Sequence, residues 1–159
     1  MHRHILIPTD GSDLSQNAID YGMALAKSAN AKVTVLTVSM PFQTFMVETG
    51  MIDETPEHYR KRTAALVAKY LNAAKEAASA AGVVCETVYL EHDQPYQAII
   101  ETAAHKSCDL IVMASHGRRG ISAIVLGSET VRVLTHSMIP VLVVRAPHRG
   151  LFTGLASLT

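Results

Sequence analysis

The sequence predicts an α/β protein with a single doubly wound parallel sheet, and three observations carry the prediction. Strand-length runs rich in Ile, Val and Leu recur along the chain, from Ile5, Leu6 and Ile7 near the start to residues 140–144. Between them lie longer segments with apolar residues at helical spacing, so strands and helices alternate throughout. No internal repeat or low-complexity linker breaks the alternation. Apolar strands separated by helices imply a parallel sheet covered on both faces. Right-handed crossovers then leave few topologies, and ligands bind such sheets beyond the strand C-termini, where the winding reverses.

Each element has its own local justification. Ile5, Leu6 and Ile7 form the first strand, which ends at Pro8-Thr9-Asp10-Gly11-Ser12. Ser12 or Asp13 caps a helix over 14–29, with Ala18, Tyr21, Met23, Leu25 and Ala26 on its apolar side and Asn30 as its stop. Residues 32–38 are rich in β-branched side chains and form the second strand. Residues 40–55 have no clean period and read as an irregular loop anchored by Phe42, Phe45 and Met46. Thr55-Pro56-Glu57 starts a long helix that reaches Ala81 and stops at Gly82. Its polar face carries Arg60, Lys61, Arg62, Lys69, Lys75 and Glu76, a basic cluster read as a solvated face, with a binding patch as the alternative. The third strand covers 83–90, and Asp93-Gln94-Pro95 caps a third helix with Tyr96, Ile99, Ile100 and Ala103 inward. The fourth strand begins at Leu110, a helix N-capped by Ser128 runs to about Thr135, and the fifth strand ends at Val144.

Composition bounds the function. A chain of 159 residues, 48 % hydrophobic, suits one domain with a real core; residues 1–146 are that domain and 147–159 a tail, either loose or docked on a partner. A net charge of +0 and a pI near 7.1 argue against a nucleic-acid binder. No apolar run approaches the roughly 20 residues of a membrane span. The first residues lack the long apolar region of a signal peptide, and Cys85 and Cys108 lack metal spacing, so a cytoplasmic protein with reduced thiols is expected. His2 and His4 share one side of the first strand but do not make a metal site without further ligands.

The functional signal lies after the fourth strand. Ala114-x2-Gly117-x9-Gly127-Ser128 joins an apolar strand to a helix start through a loop that also holds Gly120. A helix N-terminus has unpaired N–H donors and partial positive charge, and glycine lets an anion approach them. Such a loop serves either as a phosphate seat or as a long connection that needs positive φ. It is neither a Walker A, since Gly-Lys is absent, nor a Gly-x-Gly dinucleotide fingerprint. If the first and fourth strands are neighbours, Asp10 faces this loop across one crevice. Asp10 then either hydrogen-bonds amides at the helix start or contacts ribose or Mg²⁺, and His116 either touches phosphate or faces solvent.

The spacing resembles the Gly-x2-Gly-x9-Gly-Ser/Thr signature of the ATP-binding branch of the universal stress protein family. Residues 5–12, 31–38, 108–113, 126–128 and 139–144 fit the same pattern in the same order. The resemblance implies a five-stranded parallel sheet in the order 3-2-1-4-5, of the Rossmann-like, adenine nucleotide alpha hydrolase-like kind. It implies a homodimer paired through the last strand, Val141 to Val144. It further implies that Pro8, Thr9 and Asp10 border the adenosine, that Val38 touches the adenine, and that Met113 lies near base and ribose. Gly117, Gly127, Ser128 and Thr130 would then receive the phosphates of ATP, with Mg²⁺ as an optional companion; AMP or a cyclic nucleotide fits the same implication.

Two residues depart from the signature. Ala114 stands where its first glycine is expected, and Glu129, in the helix's first turn, brings a carboxylate toward the phosphates. Arg118 and Arg119 either offset that charge or point into solvent. The implied function is a dimeric, ATP-binding stress-response sensor or regulator. With neither a lysine nor a general base at a γ-phosphate, at most slow hydrolysis or autophosphorylation is expected. The alternative is a nucleotide-free interaction module of the same fold, working through its dimer edge or residues 40–55. An adenylating enzyme would need a second domain that 159 residues do not supply.

Overall fold

The computed structural model describes residues 1–117 and 126–145. Arg118, Arg119, Gly120 and the tail 147–159 lie outside the described residues. The chain runs β1 (His4–Pro8), α1 (Asp13–Ala29), β2 (Lys32–Ser39), α2 (Phe42–Thr49), α3 (Pro56–Ala81), β3 (Cys85–Glu91), α4 (Pro95–His105), β4 (Leu110–Ala114), α5 (Ser128–His136) and β5 (Val141–Val144). The five strands form one all-parallel sheet in the order β3-β2-β1-β4-β5. This is the expected doubly wound α/β architecture, with the winding reversed between β1 and β4.

Strand alternation sorts the core into two layers. Ile5, Ile7, Val33, Val35, Leu110 and Val112 pack with Met23 and Ala26 of α1 and Ala74 and Ala78 of α3. Leu6, Leu36, Ile111 and Met113 face the other way, against Ile99 and Ala103 of α4 and Val133 of α5. Register fixes the layers: Ile5 pairs with Val33 and Leu110, and Leu6 with Thr34 and Ile111. A slip of one residue would turn every one of these side chains to the wrong face.

The helix ends follow local chemistry. The Ser12 hydroxyl accepts from Ser15 N–H at 3.2 Å, and Asn30 closes α1 at φ 53°. The Thr55 hydroxyl accepts from His58 N–H at 3.2 Å, and Pro56 opens α3. Tyr21 departs from the expected inner face of α1; it is half-exposed, and Ile19 and Gly22 are buried instead.

Residues 40–55 are not wholly irregular, because Phe42–Thr49 is helical. No residue of this helix is fully buried. Phe42 and Phe45, one turn apart, lie with ring centroids 5.5 and 4.7 Å from Tyr59 of α3. Eight residues are too few to hold a helix alone in water, so α2 exists by docking on α3. Ser128 is also not a cap: Gly127 has the extended cap conformation and Ser128 is the first helical residue.

Candidate functional site

Beyond the C-terminal ends of β1, β2 and β4 lies a cavity of about 640 Å³, within the range of small-molecule sites. Pro8, Thr9 and Asp10 reach it from the end of β1, and Val38 from β2. Met113, Ala114 and Gly117 reach it from β4 and the following turn, and Gly127, Ser128, Glu129 and Thr130 from the start of α5. The sequence-predicted residues therefore converge on one hollow, at the point where the winding reverses.

Close backbone approach shapes its floor. A Cβ on Gly117 would stand 2.3 Å from Asp10 Oδ2, so any side chain there displaces the carboxylate. A Cβ on Gly127 would stand 3.0 Å from His116 Cα. Gly127 N–H donates to Ser115 O at 2.7 Å, which closes the neck of the loop. Asp10 and the glycine turn thus meet across the crevice, with β1 and β4 paired beneath them.

Hydrogen bonds fix the walls. Asp10 Oδ1 accepts from Ser12 N–H at 3.0 Å, which fits the helix-start reading of this carboxylate. Thr9 N–H donates to Leu36 O at 2.8 Å, and the buried Thr9 and Ser15 hydroxyls are 2.9 Å apart. Thr130 is buried, and its hydroxyl donates to Ala114 O at 2.9 Å, so it straps α5 to the end of β4. Ala114 is itself buried against Leu14 and Ala18 of α1, leaving the hollow open. Glu129 leaves it open too. Its Oε2 accepts from Tyr96 N–H at 2.8 Å and its Oε1 from Arg132 at 3.1 Å.

Three walls escaped the sequence reading. Phe45, Tyr59 and Arg62 close the α2–α3 side. Arg62 leaves the solvated basic face assigned to it, donates two hydrogen bonds to Glu54 and lies over the Phe45 and Tyr59 rings at 5.6 and 5.8 Å. Arg132 of α5, Asp93 before α4 and Pro95 at its start also line the cavity. The available signal was spacing: Phe42 with Phe45 and Tyr59 with Arg62 each stand one helical turn apart.

At the opposite end of the sheet His4 is buried, its Nε2 2.8 Å from Thr34 Oγ1. Burial and the Lys32 charge hold its pKa below the ordinary histidine value. Cys85 and Cys108 are free, and burial pushes the Cys108 thiol up to about 11. β3, which carries Cys85, is three strands from β4, which follows Cys108; that is roughly 14 Å at the usual strand spacing, beyond disulfide reach. Among the described residues no group of three or more His, Cys, Asp or Glu is placed to hold a metal ion, and no helix is long and apolar enough to cross a membrane.

Similar proteins agree with this architecture. Universal stress protein YxiE of Bacillus subtilis (strain 168) is 34 % identical over 149 residues, covering 91 % of this chain and all of the relative. A solved structure of a hypothetical protein, described as a structure-based assignment of biochemical function, superposes with a TM-score of 0.78 at 25 % identity, covering 93 % and 99 % of the two chains. A universal stress protein solved in complex with cAMP superposes with a TM-score of 0.64 at 27 % identity, covering 91 % and 97 %. The universal stress protein family itself matches residues 1–145. On fold, crevice and sequence together, this chain belongs to the universal stress protein family.

Proposed function

We propose that the protein binds a small adenine nucleotide in the crevice between β1 and β4 and acts as a dimeric cytoplasmic regulator of stress responses. The observation that carries this reading is the meeting of Asp10 with Gly117 in an open cavity that Gly127 also lines. In it Val38 and Met113 flank the base, Pro8, Thr9 and Asp10 border the ribose, and the amides of Gly117 and Ser128 face the phosphates, with Gly127 giving them room. Ala114, Glu129 and Thr130 frame the phosphate end. The relative solved with cAMP supports an adenine nucleotide as the ligand class. ATP, AMP and cAMP are the candidates within that class; Mg²⁺ would come with the phosphates of ATP. No residue is assigned a catalytic role.

Calorimetric titration with ATP, with and without Mg²⁺, and then with AMP and cAMP tests the reading. Saturable heat with one ligand per chain is expected; no heat from any of them at high micromolar protein refutes it. The proposed dimer joins β5 of two copies, because Val141–Val144 is the sheet edge and its backbone lacks a second strand among the described residues. Light scattering should give twice the chain mass.

Exposed apolar side chains favour a second reading, an interaction module working through residues 40–55. Val47 is 84 % and Ile52 87 % exposed, with Met51 beside them. In that case Gly127→Val leaves partner capture intact, whereas a nucleotide-dependent partner would be lost.

A further inference from the structure

The α5 end of the cavity presents a carboxylate where a long phosphate tail would need cations. Glu129 is held there from two sides. The side chain of Gln94, the cap residue of α4, makes no capping bond. Glu129 takes over that role from the neighbouring helix by accepting from Tyr96 N–H. Its other oxygen accepts from Arg132, whose guanidinium lies 5.6 Å from the Tyr96 ring centroid. Swinging Glu129 away would leave the α4 amide without its acceptor and Arg132 without its counter-charge.

The consequence is electrostatic. Among the described charged residues lining the cavity, Asp10, Glu48, Asp93 and Glu129 are acidic and Arg62 and Arg132 basic. Arg62 is paired with Glu54 and Arg132 with Glu129, so both cations are already engaged by carboxylates. A monophosphate at the Gly117 and Ser128 amides brings the least negative charge into this cavity. Each further phosphate adds negative charge to a cavity whose lining already carries the fixed Glu129 carboxylate, next to Ser128.

We propose that Glu129, fixed by Tyr96 N–H and Arg132, sets the charge of the tail this cavity accepts and selects a nucleoside monophosphate over the triphosphate. The proposal rests on the nucleotide reading above and adds a residue that decides among nucleotides. Glu129 acts here as a specificity residue, and Arg132 positions and partly neutralises it.

The test is calorimetric titration of the full chain with AMP and with ATP, at low ionic strength and without divalent metal, in the wild type, Glu129→Gln and Arg132→Ala. The readout is the ratio of the ATP to the AMP dissociation constant. It should exceed unity in the wild type. It should fall about fivefold in Glu129→Gln, which removes one nearby charge while keeping an oxygen for Tyr96 N–H. It should rise in Arg132→Ala, which leaves the carboxylate without its counter-charge. Opposite movements support the proposal, since a merely structural pair would move both variants alike; a ratio unmoved in both, or shifted the same way, overturns it. Should either variant fail to fold, the wild type still decides. Added salt narrows the gap between the nucleotides if the tail is repelled, and a widening gap overturns the proposal. If the wild type binds neither nucleotide, the nucleotide reading fails and takes this one with it; binding of both with an unmoved ratio removes only this one.

Discussion

The two ends of the sheet are built from the same strands and solved in opposite ways. At the N-terminal end polar groups, His4 Nδ1 apart, are answered from within. Asp109 accepts from Arg3 N–H at 2.8 Å and lies 3.3 Å from His2, His4 meets Thr34, and Lys106 pairs with Glu86. At the C-terminal end the backbone bends through Gly11, Gly117 and Gly127, and a cavity of about 640 Å³ is left beside them. The difference lies in side-chain volume. Where side chains fill the sheet end, the strands are locked; where glycines bring backbones together, a hollow is left beside them. Function in this fold follows the second arrangement.

The largest effect that can test this comparison comes from a methyl group. Gly11, at the open end, has φ +74°, and a Cβ there would stand 2.1 Å from the Tyr70 ring. Gly82, at the closed end, has φ +69° with nothing within 4 Å of its Cβ position. Gly82→Ala therefore carries only the left-handed backbone penalty, about 1 kcal/mol. Gly11→Ala adds overlap with a rigid ring and should cost about 3 kcal/mol. Urea unfolding of the two variants measures the contrast. In a Tyr70→Ala background the Gly11 loss should drop to the Gly82 level; an unchanged loss would place the strain elsewhere.

Much of this was legible because it is local. Short apolar runs, Asn30 and Gly82 as stops and Thr55-Pro56 as a start need only neighbours in sequence. The glycine spacing located the loop that borders the cavity, and Asp10 joined it once the neighbours of β1 were known. What was illegible depends on tertiary partners. α2 forms because Phe42 and Phe45 meet Tyr59, and Arg62 reaches the cavity because Glu54 and two rings hold it there. Glu129 looked like a repulsive intruder in the sequence; its ties to Arg132 and to Tyr96, 33 residues away, give it a structural duty. The cap slipped from Ser128 to Gly127, where the chain passes too close to His116 for a side chain.

A smaller effect sharpens the closed end. His4 is buried, its Nδ1 has no hydrogen-bond partner among the described residues, and a proton there would face desolvation and the Lys32 charge. The Lys106 backbone, Glu86 and Asp109 pull the other way without winning. The folded pKa thus lies below that of the unfolded chain. Between the two values the unfolded chain binds more protons, so stability is full above about pH 6.5 and falls as pH drops through it. Thermal melts from pH 8 to pH 5 should show that loss, and His4→Asn should flatten it over the histidine range. Asp109 behaves differently: burial raises its pKa, but the amides of Arg3 and His4, with His2 nearby, outweigh it and lower it. Its contribution is present above the usual carboxylate pKa near 4 and lost only in stronger acid, so the two titrations separate on one pH axis.

The smallest expected effect concerns the ion pair that borders His4. The side chains of Lys106 and Glu86 are 36 % and 52 % exposed, so water screens the pair and Glu86→Gln should cost less than about 0.5 kcal/mol at pH 8. The hydrogen bond from Lys106 lowers the Glu86 pKa, which keeps Glu86 ionised across the histidine range. Its charge is one of the few that favour a protonated His4. Removing it should therefore move the His4 titration, followed by its ring proton shifts in NMR, further down in pH while the melt at pH 8 hardly changes. A His4 midpoint that stays put or rises would mean that Glu86 is uncoupled from the buried imidazole, and that the closed end of the sheet is a set of separate contacts without a shared electrostatic unit.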